Sequence, residues 1–226
     1  MTLIIIIQKL EKVDKMDKEY NSQVFTIGHS NHSIELLLSL LQKHNINCLI
    51  DVRSVPASSY NPQFNKDSFE SCLLQNNIQY MHFGMEFGAR HDDENYLDET
   101  GIVDFESFRK SYQFQDGIER LERGILKGYR IALMCSEGEP LECHRFSMIS
   151  VYLENINIKV KHIMKDASIK LHKELEKELL KKYEKKLPVL DLFNQNIDSN
   201  DQLKRAYKLH NKDVGWRSEA NINKDF

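Results

Sequence analysis

Short apolar runs alternate with amphipathic helical stretches along most of this chain, and that alternation limits the possible folds more than any other feature. Five stretches have strand length: 24–28, 48–52, 79–83, 131–134 and 159–163, the last partly polar and expected near an edge. Between them lie helical patterns. Ile34, Leu37, Leu38 and Leu41 share one side of a helix over 34–44, with Ser33 as its N-cap. Asp67 caps a second, with Glu70 in capping-box spacing and Phe69, Cys72 and Leu73 on its apolar side. Ile118, Leu121 and Ile125 mark a third, and Phe146, Ile149 and Leu153 a fourth over about 142–154. Strands separated by helices pair in parallel, and the helices then cover both sides. The expectation is an α/β fold: a layered, largely parallel β-sheet of about five strands with helices on both faces, plus a helical C-terminal extension. Residues 23–165 form the core domain. Residues 1–22 read as a poorly ordered N-terminal extension, and 166–226 as a lysine-rich helical C-terminal one.

Charge excludes little. The formal net charge of 226 residues is −3, so no global field draws the chain to nucleic acid or membrane. Locally, residues 86–106 hold eight acids and one arginine, and 159–186 hold ten lysines and five acids. Both read first as solvated surface, and the second also as a patch for a polyanion. The run Leu3 to Ile7 is too short for a membrane span or a signal sequence, so no membrane partner is expected. Four cysteines without a secretion signal read as reduced thiols of a cytoplasmic protein.

In a parallel sheet the ligand crevice lies beyond the carboxyl ends of the strands. Polar residues follow four of the expected strands: His29 and Ser30, then Asp51 and Arg53, then Arg90, then Cys135 and Glu137. The last pair opens the stretch 130–145, in which an apolar run stops at Cys135 and Cys143, His144 and Arg145 come in succession at a helix start. A thiol at a strand end near arginines should ionise more readily than usual. Cys135 is therefore the expected nucleophile, with His29 or Glu137 moving protons. Ser30, Asp51, Arg53, Arg90, Cys143, His144 and Arg145 are expected to bind substrate, with the arginines as anion donors. Cys48 and Cys72 lie within apolar patterns and read as core.

Cys135, Cys143 and His144, with His29 as a further candidate, invite a metal reading, and a divalent metal is possible but not favoured. The Cys-x7-Cys-His spacing matches no common zinc template, and neighbours on one helical turn diverge by about 100°.

The blocks Thr26-Ile27-Gly28-His29-Ser30, Asp51-Val52-Arg53-Ser54-Val55-Pro56, Asn61-Pro62-Gln63-Phe64-Asn65, and Met134-Cys135-x-Glu137 with Cys143-His144-Arg145 resemble the signature of the domain of unknown function 488 family. The resemblance spans roughly 23–165. Gly88-Ala89-Arg90 departs from the paired glycine that members often carry. The resemblance implies an α/β domain with these blocks at one site, and it brings no settled activity.

Three functions follow. The first is an enzyme with a cysteine-centred site that transfers or hydrolyses a phosphate- or sulfur-containing group on a small anionic substrate. The second is a nucleic-acid binding or processing protein. The third is a metal-dependent hydrolase or metal sensor built on Cys135, Cys143 and His29.

Overall fold

The computed structural model describes residues 23–188 and 199–218. The expected extension 1–22 lies outside the described residues, as does the end of the chain from 219. Strands β1 (Gln23–Gly28), β2 (Cys48–Asp51), β3 (Gln79–His82), β4 (Ile131–Cys135) and β5 (Lys159–Ile163) are all parallel. A sixth strand, β6 (Ile169–Leu171), pairs antiparallel with β5, giving the order β3-β2-β4-β1-β5-β6. The sequence pattern places these residues in the helical C-terminal extension instead. Only three residues long and followed at once by the lysine-rich helix, the strand carries no alternation to mark it. The region from 166 is thus stitched to the sheet rather than simply appended.

Alternate side chains of the strands face two cores. On one face, Phe25, Ile27, Leu49 and Met134 pack on α1 (Ile34–Lys43) and α2 (Lys66–Gln75), through Leu37, Leu41, Phe69 and Leu73. Ser33 caps α1 by accepting the N–H of Leu36. The N-cap of α2 is Asn65, so Asp67 sits inside the first turn rather than capping it. On the other face, Val24, Ile50, Leu133 and Cys135 meet α3 (Gly84–Phe87), α4 (Phe105–Phe108) and α5 (Tyr112–Leu126), together with Met148, Ile149 and Leu153.

The chain after β4 does not enter an α-helix at 142. Pro140–Glu142 makes a 3-10 turn, Cys143 is extended (φ −138°, ψ 142°), and Arg145–Ser150 winds as a π-helix before α6 (Val151–Asn155). Such wide turns are rare and often mark functional positions. The C-terminal helices α7 (His172–Tyr183) and α8 (Ser199–Val214) pack on Phe146 through Leu175, Leu179 and Ala206. The acidic connection 86–104 is tied to later parts of the chain. Asn211 holds Val103 and Phe105, Trp216 accepts from Val103, and Ser218 donates to Asp92. Among the described residues no helix is long and apolar enough to cross a membrane.

Topology creates one crevice. From β1 the chain crosses to β2 on one side, and from β4 it crosses to β5 on the other. The adjacent carboxyl ends of β1 and β4 are therefore a switch point, where loops part and leave space. Gly28 and Cys135 are register partners there. The loop after β4 then folds back so closely that a Cβ on Gly28 would overlap the Glu137 carbonyl.

Candidate functional site

The expected residues do reach the carboxyl edge, but they divide between the two faces of the sheet. Asp51, Arg53 and His29 form a brace on the α1/α2 side. Arg53 Nη2 donates to Asp51 Oδ2 at 2.6 Å and to the Phe64 carbonyl at 2.8 Å. Tyr80 donates its hydroxyl to the same Asp51 oxygen at 2.8 Å. Arg53 Nη1 donates to His29 Nε2 at 3.3 Å, so His29 carries its proton on Nδ1 and donates it to the Ser30 carbonyl at 2.8 Å. The ring also lies over Phe64, 4.4 Å between centroids. Burial is the main reason its pKa falls to about 4. Both nitrogens of His29 are thus occupied, and neither bonds to a sulfur among the described contacts.

The second group lies toward Phe87. Cys135 Sγ and Cys143 Sγ sit 2.9 and 3.1 Å from one oxygen, Glu137 Oε2. They lie 3.8 and 3.7 Å from one nitrogen, His144 Nδ1. The donor atoms of these four residues all fall within 4.8 Å of one another. His144 Nε2 donates to the Phe87 carbonyl at 3.1 Å, which leaves Nδ1 facing the sulfurs. Cys135, Cys143 and His144 are buried, and Glu137 is half-buried.

The electrostatics separate the two thiols. A hydrogen bond with Cys143 and burial push the Cys135 thiol well above its ordinary value. Burial also opposes a Cys143 thiolate, but the Cys135 thiol, Arg145 and His144 outweigh it and hold Cys143 well below. The Arg145 N–H reaches the Cys143 sulfur at 3.5 Å. Burial raises the Glu137 carboxyl, and the Cys143 charge adds to that. For His144 burial works against the imidazolium, yet Cys143 and Glu137 prevail and its pKa rises.

Cys143 and His144 can act together because they do not share a helical turn. The extended backbone of Cys143 and the helical backbone of His144 turn both side chains toward Cys135. The divergence expected for successive helical residues therefore does not apply to Cys143 and His144. The expected anion donor Arg145 is fully buried. Its Nη1 donates to the Glu137 carbonyl at 2.6 Å and its Nη2 to the Gly138 carbonyl at 2.8 Å. Its Nε has no partner among the described residues. It clamps the loop that carries Glu137. Arg90 is exposed and bonds through its backbone to Ser54. Ser30 sits at φ 48°, donating its N–H to the Ser136 carbonyl. The π turn and the Phe87 carbonyl were not visible beforehand; a carbonyl leaves no sequence signal at all.

The family model described as Domain of unknown function DUF488 matches residues 33–153, which contain both groups apart from His29. Neither the curated proteins nor the solved structures gave a match.

Proposed function

The chain belongs to the domain of unknown function DUF488 family, and on that premise we propose that it is a metal-dependent hydrolytic enzyme. Cys135, Cys143 and His144 hold one zinc-class divalent ion, and Glu137 manages the proton. One observation carries this reading: two sulfurs, an imidazole nitrogen and a carboxylate oxygen converge within 4.8 Å of one another. Buried lone-pair donors that face one another repel unless a cation or protons lie between them. Sulfur and nitrogen donors together favour zinc-class ions over magnesium or calcium. Fixing one ring nitrogen on a backbone carbonyl is the usual way a ligating histidine is held, as His144 is by Phe87.

When bound, a divalent ion in such a site supplies Lewis acidity toward a water or a substrate oxygen. Three protein ligands leave a position for that chemistry. Glu137 is the group we assign to hold and move a proton, because its carboxylate stands beside both sulfurs without being one of the three ligands. Arg145 keeps that carboxylate in position through the loop carbonyls. Two cysteines, a histidine and a glutamate that is not a ligand also make up the donor set of hydrolytic zinc deaminases. The likeness is one of donor chemistry only. The test is elemental analysis of protein purified without chelator or affinity tag. About one zinc or iron per chain is expected, and its absence would overturn the proposal.

A second reading has its own support. Cys143 accepts an N–H from Arg145 and is held as a thiolate by its neighbours, which suits a nucleophile. It replaces Cys135 in the thiol-enzyme expectation. Metal-free protein whose Cys143 alkylates faster than an ordinary thiol at neutral pH would favour it. The nucleic-acid reading has less behind it, since Arg53 and Arg145 are buried and engaged within the fold.

A further inference from the structure

The two sulfurs of the site stand close enough to react with each other as well as to share an ion. Cys135 Sγ and Cys143 Sγ touch the same Glu137 oxygen, at 2.9 and 3.1 Å, and lie within 4.8 Å of one another. Cys143 is extended and its side chain faces the end of β4. Turning the two side chains, with a small shift of the loop between them, therefore brings sulfur onto sulfur. Neither of the other cysteines can compete. Cys48 opens β2 opposite Ile131, four residues before Cys135, which at about 3.3 Å per residue places it about 13 Å away. Cys72 lies on α2, across the sheet. The surroundings also limit what can reach the pair. Cys135 and Cys143 are 3 % and 1 % exposed, whereas Glu137, which touches both, is half-buried. A molecule little larger than water can follow that carboxylate inward, and a peptide disulfide cannot.

We propose that Cys135 and Cys143 react as a pair with hydrogen peroxide and close a reversible disulfide. Cys143 is the attacking sulfur, because the Arg145 N–H at 3.5 Å steadies negative charge on it. Its thiolate bonds to one peroxide oxygen and the O–O bond breaks. The other oxygen leaves as hydroxide and becomes water with a proton passed on by Glu137. Cys143 is then a sulfenic acid. The Cys135 sulfur attacks the Cys143 sulfur, the S–O bond breaks, and the hydroxide departs as water with the Cys135 proton. Two electrons have passed from the sulfur pair to one peroxide. When an ion is bound both sulfurs start as thiolates, and the last proton comes from solvent. Bonded sulfurs no longer offer thiolate ligands, so the disulfide frees the ion. That release rests on the metal reading above; the disulfide itself does not.

The test is treatment of the full chain, reduced and freed of reductant, with one equivalent of hydrogen peroxide and, in parallel, of glutathione disulfide. Intact mass, peptide mapping and zinc captured by a chromogenic chelator are read on the same samples. Peroxide should remove two hydrogens, link the peptides of Cys135 and Cys143, and consume both about tenfold faster than Cys48 or Cys72. Zinc should leave in step, and dithiothreitol should reverse the change. In Cys135→Ser the reaction should stop at a Cys143 sulfenic acid that dimedone traps. Sulfinic acid on Cys143 without a disulfide in the parent chain would overturn the proposal. So would linkage to Cys48 or Cys72, no reaction, or glutathione disulfide reacting as fast as peroxide. Zinc bound but no disulfide sinks the pair alone. A disulfide in protein that never binds metal, or one that leaves zinc in place, upholds the pair and sinks the metal reading alone.

Discussion

His144 donates its Nε2 proton to the carbonyl of Phe87 at 3.1 Å. That bond ties a residue of the loop after β4 to the end of the short helix after β3, and it selects which ring nitrogen faces Cys135 and Cys143. The site is thus fixed from two directions, by the π turn that starts after His144 and by the aromatic core around Phe87, which packs against Phe83 and Phe114.

Removing the clamp should loosen the site before it unfolds the protein. Arg145→Leu leaves the Glu137 and Gly138 carbonyls without their buried donors, at a cost of about 1–3 kcal/mol. The urea midpoint should fall accordingly, and metal affinity with it. An unchanged midpoint would mean that the loop is held by other contacts.

Gly28→Ala tests the close approach of strand and loop. The added methyl meets the Glu137 carbonyl, so the loop must shift, at a cost of about 1–3 kcal/mol. Thermal unfolding should show the loss. A variant as stable as the parent would contradict the packing of the loop against β1.

The brace on the other face should matter for stability and not for metal. Asp51→Ala leaves the Arg53 guanidinium buried without its carboxylate, which typically costs about 3–5 kcal/mol. If the two groups are as separate as the hydrogen bonds indicate, protein that still folds should keep its full metal content. Loss of metal in folded Asp51→Ala would join them into one centre.

Acid should destabilise the metal-free protein starting near the ordinary histidine pKa. Burial lowers His172 to about 3 and His29 to about 4, and it drives His162 well below its ordinary value. His162 lies in a buried chain that runs from Thr26 through His172 and Tyr207 to Glu176. Between the folded and unfolded pKa values the unfolded chain binds protons that the folded one refuses. Stability therefore rises with pH over that window and is complete above about 6.5. Each such histidine contributes a slope of about 1.4 kcal/mol per pH unit. Urea midpoints measured from pH 7 to 5 should fall steadily. A flat profile would show that these rings are charged or solvated when folded.

The alternation of strand and helix is legible because β1, β2 and β4 are apolar runs bounded by polar turns, while β3 and β5 mix apolar with polar residues between turn signals. β6 is not, since Ile169–Leu171 is short, partly exposed and polar at its centre. At the site, Cys135, Glu137, Cys143 and His144 were all nominated, because they follow a strand in a loop ringed by polar residues. Their grouping was hidden by the backbone of Cys143: a helix drawn from 142 sends Cys143 and His144 apart, whereas an extended Cys143 before a π turn brings them together. His29 and Arg53 were placed at the correct edge, but which face they serve depends on strand register, through Phe64 and Tyr80. Arg145 looked like an anion donor because nothing in a sequence reveals that carbonyls of its own loop will occupy a guanidinium.

Cobalt substitution tests the central claim most directly. Protein stripped of metal and loaded with one equivalent of Co²⁺ should show a thiolate-to-cobalt charge-transfer band and the intense visible absorption of a tetrahedral site. The band should weaken by about half in Cys135→Ser and in Cys143→Ser and vanish when both are replaced, with Glu137→Gln retaining it. A spectrum without thiolate bands, or one that both single serine variants leave untouched, would contradict a metal held between Cys135 and Cys143.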